Sequence, residues 1–481
     1  MRKPFNRIVE VYLFAFAFLF ASRPLSDADF WFHLKTGEYI VKTGLIPKQE
    51  LFSFTSYGTP WIAHGWLSGA LFYFVYSKVG FNFLIFLFAL LAALAFWIVF
   101  KRLDTHVVIK GFATLLGVWA VIPNLGVRPR VFSLLFASIF LAVLTDFVRK
   151  GKGRALWWLV GVMILWVNLH GGFVIGILLV GFTIVGVVLD GWNEGLRIAQ
   201  MGPQLRTLSL VFLGCLMAVA LNPYGLQMYW LPLEVMRTPV FQATVVDFLS
   251  PNFHQREILP FTLLALLTIA ALSLSPKRVR PSSLLLFLAT LYSALNTQRN
   301  ILIFSLVAVP LLAEHAQSWL GSTRIRILRG AEEPAVTTSR GTALTILFLL
   351  PLLLFAIQLK KTVYVPPRQE TSKVPIKAVE YMREHQIVGN TFTVPNIWGG
   401  YLIWALPSNP VYIDGRNAYP QEFVQEYVEI TSGLKDWREP FDRYGVKNVI
   451  VRPRSLLDRE LRRSGEWRLV FEDSLATVFV R

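Results

Sequence analysis

SDADFWFHLKTGEYI, residues 26–40, follows directly on the first apolar run of the chain and brings Asp27, Asp29 and His33 to an expected membrane surface. Asp29 is placed to begin a helix that runs to about Lys42 and stops at Gly44, ahead of Pro47. On such a helix Asp29 and His33 are four residues apart and share a face. A carboxylate and an imidazole so placed can hold a metal or form an acid/base couple. The plainer reading makes Asp29 a helix N-cap in a solvated loop, and spacing alone leaves both open.

The surrounding composition sets the fold class. The 481 residues are 54% hydrophobic and 16% charged, with a mean hydropathy of +0.51. Soluble proteins carry about a quarter charged residues, so the chain reads as a polytopic α-helical membrane protein. Its net charge of +17 does not point to nucleic acid, because the basic residues lie in short clusters between apolar runs, where orientation rules put them. Cys215 is the single cysteine, which excludes a disulfide framework and a multi-thiolate metal site. The basic start and apolar stretch of residues 1–22 imitate a signal peptide. Leu19 occupies the place where cleavage after Ala21 would need a small residue, so the segment reads as a retained span.

Runs of spanning length lie near 8–24, 81–100, 108–124, 131–148, 155–169, 171–190, 206–221, 259–275, 282–296, 300–317 and 341–358, about eleven spans. The run 62–79 is ambiguous, and charge decides it. With the N-terminus cytoplasmic and 62–79 not crossing, Lys101, Arg102, Arg149, Lys277, Arg278 and Arg280 fall inside, while the short outer turns hold only Arg128, Arg130 and Arg299. The expected division is therefore a membrane domain over 1–358, with its first outer loop at 23–80, and an extracytoplasmic soluble α/β domain over 359–481. In the latter, PIKAVEYMREH reads as helix, and NTFTVP, NPVYID, VKNVIV, RLVFED and ATVFVR read as strands. Pro366 and Pro367 mark the linker.

The unusual polar residues collect on the outer side. Arg128 and Arg130 flank Pro129, and Arg299 sits in Asn296-Thr297-Gln298-Arg299-Asn300. Guanidinium forks suit phosphate or carboxylate, although interfacial arginines also snorkel to headgroups. Asn168 and His170 end a span in WVNLHGG, where Gly171 and Gly172 permit a tight reversal. His33 and His64 read equally as interfacial packing residues. The loop 222–258 carries Glu234 and Asp247 and reads as structural. NIWGGYLIW, with Trp398 and Tyr401, precedes PVYIDGRNAY. Gly399 and Gly400 permit a close backbone approach there, and Asp414-Gly415-Arg416 reads as a charged turn at a strand end. Nucleotide loops, nucleophile elbows and zinc-protease motifs are absent from the sequence.

DADFWFHLKTGEYI, WIAHGWLS, the NLHGG turn, NTQRN and WGGYLIW with YIDGR together resemble the GT-C superfamily of membrane glycosyltransferases, which includes protein O-mannosyltransferases and oligosaccharyltransferase catalytic subunits. The chain departs from better-known members in lacking WWDYG, for which Trp398-Gly399-Gly400-Tyr401 is a loose counterpart. Its first loop has Asp-Ala-Asp instead of Asp-Glu. The resemblance implies an integral inner-membrane enzyme of hexosyltransferase type. Its donor would be a polyprenyl-phosphate-linked sugar and its acceptor a glycan, lipid or protein at the outer face. Asp29 would be the base, supported by Asp27, and Arg299, Arg128 and Arg130 would bind the donor phosphate. His33, His64, Asn168, His170, Trp398 and Tyr401 would bind the acceptor. Asp29 and His33 could hold a divalent cation, Mg or Mn. The rival readings are a lipid or glycan transporter or flippase, whose repeated halves are not evident in this sequence, and a non-catalytic envelope-assembly protein.

Overall fold

The computed structural model describes residues 2–25, 27, 29–151, 153–237, 246–322 and 374–481. In chain order the helices are α1 (Arg2–Ala21), α2 (Asp29–Thr43), α3 (Trp66–Val79), α4 (Phe81–Arg102), α5 (Val107–Val121), α6 (Arg130–Lys150) and α7 (Trp158–Leu169). They continue as α8 (Phe173–Asn193), α9 (Ile198–Val219), α10 (Gln227–Arg237), α11 (Leu259–Leu274), α12 (Pro281–Asn296) and α13 (Ile301–Ser322). Beyond residue 373 come α14 (Ile376–Glu384), β1 (Thr391–Thr393), α15 (Trp398–Ala405), α16 (Gln421–Ser432), α17 (Arg438–Arg443), β2 (Asn448–Val451), α18 (Leu456–Ser464), β3 (Arg468–Glu472) and β4 (Thr477–Val480).

Seven helices among the described residues are long and apolar enough to cross a membrane: Phe81–Arg102, Val107–Asn124, Arg130–Lys150, Phe173–Asn193, Ile198–Val219, Arg256–Leu274 and Gln298–Ser322. The chain is a multi-pass, mostly helical membrane protein with a small C-terminal sheet. Two shorter apolar helices, Arg154–Leu169 and Pro281–Asn296, fall below spanning length. The expected span 341–358 and the linker prolines lie outside the described residues, so the structure supports seven candidate spans where the sequence suggested about eleven. Helix α3 has 14 residues, about 21 Å at 1.5 Å per residue, against a hydrocarbon core of roughly 30 Å. Its length agrees with a segment that does not cross.

The chain forms two compact units that are not continuous in sequence. The helical unit takes Met1–Arg23, Phe86–Tyr229 and Gln242–Tyr364, and the mixed unit takes Pro24–Ile85, Trp230–Phe241 and Val365–Arg481. The expected domain boundary at 358/359 falls outside the described residues.

In the mixed unit β1 pairs parallel with β2, and β4 lies antiparallel between β2 and β3, giving the order β1-β2-β4-β3. Four of the five expected strands form as read. The fifth, around Val411, makes single-residue parallel bridges to Thr391 on one side and Ser53 on the other. The ladder thereby runs past β1 into the first loop, with the Phe54 amide donating to the Val411 carbonyl at 3.2 Å and the Thr55 hydroxyl to the Tyr412 carbonyl at 2.5 Å. An open sheet edge is a liability, and here the first loop covers it.

The same loop contributes to the core. Trp31, Phe32 and Phe52 pack against a cluster that includes Trp398, Leu402, Val411, Ile450 and Val478. Helices α2 and α3 cross at Gly37 and Gly69, backbone against backbone. A methyl group on Gly37 would lie 1.9 Å from the Gly69 carbonyl oxygen, and one on Gly69 would lie 2.8 Å from that of His33. Neither obstacle is a movable side chain. We expect Gly37→Ala to destabilise the protein by about 3 kcal/mol, the upper end for overpacking, read as a lower Tm and a smaller monodisperse fraction in detergent. Gly44→Ala, where no atom lies within 4 Å but φ is +71°, should cost only about 1 kcal/mol.

Candidate functional site

Each unit carries its own set of the expected site residues. In the mixed unit α2 starts at Asp29, as read from the sequence, but the cap is supplied by Asp27. The Asp27 Oδ1 atom accepts the Asp29 amide at 3.3 Å, and the Asp27 carbonyl accepts the Phe30 amide at 3.3 Å. Asp27 thus makes a capping contact at the start of α2, which opens at Asp29. That carboxylate lies against the turn 414–416, since a methyl group on Gly415 would come within 2.7 Å of Asp29 Oδ1. The turn is itself held close, because a methyl on Gly399 would meet the Ile413 carbonyl at 2.4 Å. The close approach expected of the Gly399-Gly400 pair is therefore made, at Gly399.

The turn is anchored by a buried ionic cluster. Arg416, 3% exposed, donates from Nε to both Asp414 oxygens at 2.9 Å and from Nη2 to Asp414 Oδ2 and Glu50 Oε1, each at 2.5 Å. Its guanidinium lies between the rings of Phe52 and Trp61, 4.9 and 4.8 Å from their centroids. Glu50 is fully buried, and its second oxygen accepts the Ser53 amide and hydroxyl at 2.9 Å. Tyr419 donates to Asp414 Oδ2 at 3.0 Å. Burial, with Asp414 beside it, drives the Tyr419 phenol well above its ordinary range, while the carboxylates outweigh the burial of Arg416 and hold it more firmly charged. Asp414-Gly415-Arg416 is more than a strand-terminating turn, because it fastens the first loop to the C-terminal segment.

His33 and His64 come together in this unit. The His33 ring lies 4.3 Å from the Phe32 ring and 6.0 Å from that of Phe72 on α3. Both imidazoles keep some accessible surface, yet the protein packed around them disfavours the charged form. Burial, then the neighbouring His64, pushes the His33 pKa down to about 3, and burial lowers that of His64. Trp398 is wholly buried and Tyr401 is 9% exposed, with Tyr401 edge-on to Trp31 at 5.0 Å. Both rings are committed to the core.

The helical unit gathers the three arginines. Arg130 opens α6, donating from Nη1 to Asn124 Oδ1 at 3.1 Å and from Nη2 to Asp247. Arg128 Nη1 lies 3.9 Å from Asp247 Oδ1. The Arg299 guanidinium stacks on the Phe248 ring at 3.9 Å, and the Gln298 amide donates to the Leu249 carbonyl at 2.9 Å. Burial alone would raise the Asp247 carboxyl, but Arg130, Arg128 and Arg299 outweigh it and hold the pKa below the ordinary range. Expected from sequence as a structural loop residue, Asp247 is the acid on which the arginines converge.

At the WVNLHGG turn, His170 Nδ1 is 2.7 Å from the Ser133 hydroxyl and accepts the Gly172 amide at 3.1 Å. Ser133 Oγ in turn accepts the indole N–H of Trp166 at 2.7 Å. An Nδ1 that accepts an amide carries no proton, so His170 is the Nε2–H tautomer and Ser133 donates to it. Gly172 is required, because a methyl there would lie 2.3 Å from Ser133 Oγ. Asn168 is buried and donates to the Ile164 carbonyl at 2.8 Å.

Among the described residues no three His, Cys, Asp or Glu side chains gather to hold a metal. Asp29 and His33 offer two donors of mixed kind, against the six mostly oxygen ligands that Mg²⁺ prefers.

Glu50, Asp247 and Ser133 were not singled out as site residues by the sequence. Glu50 sits in the first loop with no local pattern that marks it. The usable signal was the isolated DGR, whose arginine needed a buried acid from elsewhere.

The sequence matches no protein-family model, and no curated protein matches it. Solved structures do match in fold. The archaeal oligosaccharyltransferase AglB from Archaeoglobus fulgidus, in complex with an inhibitory peptide and a dolichol-phosphate, aligns with 94% of this chain and 69% of its own at TM-score 0.61 and 12% identity. The apo A. fulgidus oligosaccharyltransferase aligns over 92% and 69% at TM-score 0.55 and 12% identity. The mycobacterial arabinofuranosyltransferase AftD aligns over 100% of this chain, but only 40% of its own, at TM-score 0.53 and 13% identity. Both enzymes belong to the GT-C superfamily. The fold of this chain is similar to that of these solved structures, in line with the resemblance its motifs carry.

Arg416→Met should leave Glu50 and Asp414 buried without a counter-charge and cost about 3–5 kcal/mol, read by thermal unfolding. Arg416→Lys should rescue little of this, since an ammonium cannot reach both acids while stacking between two rings. The histidines set a pH dependence. Their folded pKa values lie below the unfolded value of about 6.5, so the unfolded chain binds more protons below that pH. Stability should fall as pH drops from about 6.5 towards 3 for His33, and His33→Gln combined with His64→Gln should flatten that part of the Tm profile.

Proposed function

We propose that the protein is an integral-membrane glycosyltransferase that moves a sugar, of hexosyl type, from a polyprenyl-phosphate carrier to an acceptor on the outer face of the membrane. The observation that carries this reading is the convergence of Arg128 and Arg130 from one turn and Arg299 from another, within the helical unit, on the carboxylate of Asp247. Guanidinium forks of this kind suit a phosphate. The fold shared with AglB, solved with a dolichol-phosphate, supports the same donor class.

In the proposed reaction the arginines stabilise the charge that grows on the departing lipid phosphate. Asp29, which opens α2, takes the proton from the acceptor hydroxyl. One displacement at the anomeric carbon forms the new glycosidic bond, breaks the bond to phosphate and inverts the configuration. His33, His64, Asn168 and His170 orient the acceptor as neutral hydrogen-bonding groups. Trp398 and Tyr401, sunk in the core, act by fixing the turn that backs Asp29. The acceptor is a glycan, a lipid or a protein of the envelope. The reading places the multi-pass chain in the inner membrane, with the N-terminus cytoplasmic and the segment 359–481 as an extracytoplasmic α/β domain after the membrane domain 1–358.

The test incubates the purified protein with labelled polyprenyl-phosphate sugars and envelope acceptors. Asp29→Asn should lower transfer by about 10²–10⁴-fold with donor binding retained, and Arg299→Ala should weaken donor binding by about tenfold or more. Full transfer by a folded Asp29→Asn protein removes the base assignment, and unchanged donor affinity in Arg299→Ala removes the phosphate site.

A further inference from the structure

A second basic site lies in the helical unit, at the other end from the Arg299 turn. Helix α13 begins at Ile301 beside Arg299 and reaches His315 after roughly 20 Å of helix. There α13 and its neighbours enclose a cavity of about 780 Å³. Its wall is mostly apolar, with Leu144, Phe182, Val187, Leu286 and Val307 along it, and its rim is charged.

The rim charges do not balance. Five cations, Arg102, Arg149, Lys277, Arg278 and Arg280, face three carboxylates, Asp104, Asp190 and Glu314. Two of these acids are already engaged. Glu314 binds Arg149 at 3.0 Å and Lys277 at 2.8 Å, and Asp190 accepts the Ser282 amide at 2.9 Å and its hydroxyl at 2.6 Å. Among the described residues Arg102, Arg278 and Arg280 have no ion-pair partner, and Arg102 is partly buried. His315, 3% exposed, also lines the cavity, and its Nδ1 finds no hydrogen-bond partner among the described residues.

An apolar pocket rimmed by surplus guanidinium groups matches an amphiphile with an anionic head and a hydrocarbon tail. The geometry points to a binding site for an anionic lipid phosphate. Its head lies among Arg102, Arg278 and Arg280, and its chain lies along Phe182, Leu286 and Val307. Phosphate meets guanidinium in charge-assisted pairs, and hydrocarbon covers apolar wall that water would otherwise wet. The site is independent of the arginines around Asp247, which draw on a different end of the same helices. Either a bulk phospholipid of that leaflet or a polyprenyl phosphate satisfies the same chemistry.

The experiment is native mass spectrometry of the full-length protein in detergent, titrated with phosphatidylglycerol, phosphatidylcholine, a polyprenyl phosphate and inorganic phosphate. Phosphatidylglycerol should bind and phosphatidylcholine should not. Arg102→Ala combined with Arg280→Ala should weaken retention by about tenfold or more, and so should Leu286→Trp, which fills the chain groove and leaves every charge in place. Arg280→Ala alone, on an exposed residue, keeps the result readable if the double variant does not fold, and it should still lower retention. Polyprenyl phosphate binding that survives Arg299→Ala but not Arg102→Ala with Arg280→Ala assigns the carrier lipid to this cavity. Binding of phosphatidylglycerol alone assigns a bulk lipid. Equal binding of phosphatidylcholine, binding of inorganic phosphate without any lipid, or retention unchanged in the variants overturns the proposal.

Discussion

The mixed unit depends on one buried cation. Arg416 is held by Glu50 from the first loop and Asp414 from the C-terminal segment, with the rings of Phe52 and Trp61 on its two faces. A guanidinium removed from water is costly unless most of its donors are met, so this group tolerates little displacement of either partner. The geometry around it follows. The bridge from Ser53 to Val411 extends the sheet, and Gly415 is pressed against Asp29. The carboxylate assigned to proton transfer is therefore positioned by an ionic cluster that performs no chemistry itself. Rigid support of this kind is what a reactive group needs to keep its geometry.

The helical unit handles charge differently. Arg128, Arg130 and Arg299 gather on the one carboxylate of Asp247, which holds them together. In the proposed reaction the same guanidinium forks meet the donor phosphate. The Ser133–His170 contact serves a related end, since the Trp166 indole fixes the serine and the serine fixes the imidazole tautomer.

Legibility in the sequence followed the range of the interactions. Helix α2, the glycine stop at Gly44 and four strands of the sheet were readable because caps, periodicity and turn residues act over a few positions. The GT-C-like fold was readable from short motifs spread along the chain. The composite nature of the mixed unit was not, because nothing local in the first loop announces that Ser53 pairs with Val411. Nothing local marked Glu50, and Asp247 looked like an ordinary loop acid. The arginines were recognised by their density at span ends, whereas their shared partner appears only when separate turns are brought together. Trp398 and Tyr401 looked like recognition residues because aromatics beside glycines resemble a loose binding motif, yet packing consumes both.

The first loop and the segment that completes it are far apart in synthesis. Arg416 and Glu50 are separated by 366 positions, so at 5–20 residues per second the loop emerges on the order of tens of seconds before its partner exists. During that interval Glu50 has no guanidinium, the strand edge at Phe52–Phe54 is unpaired, and Trp31, Phe32 and Phe52 have no core to enter. The mixed unit can therefore close only after the segment around Arg416 has been made. A ribosome stalled before residue 410 would leave the Asp29 segment without the turn that backs it.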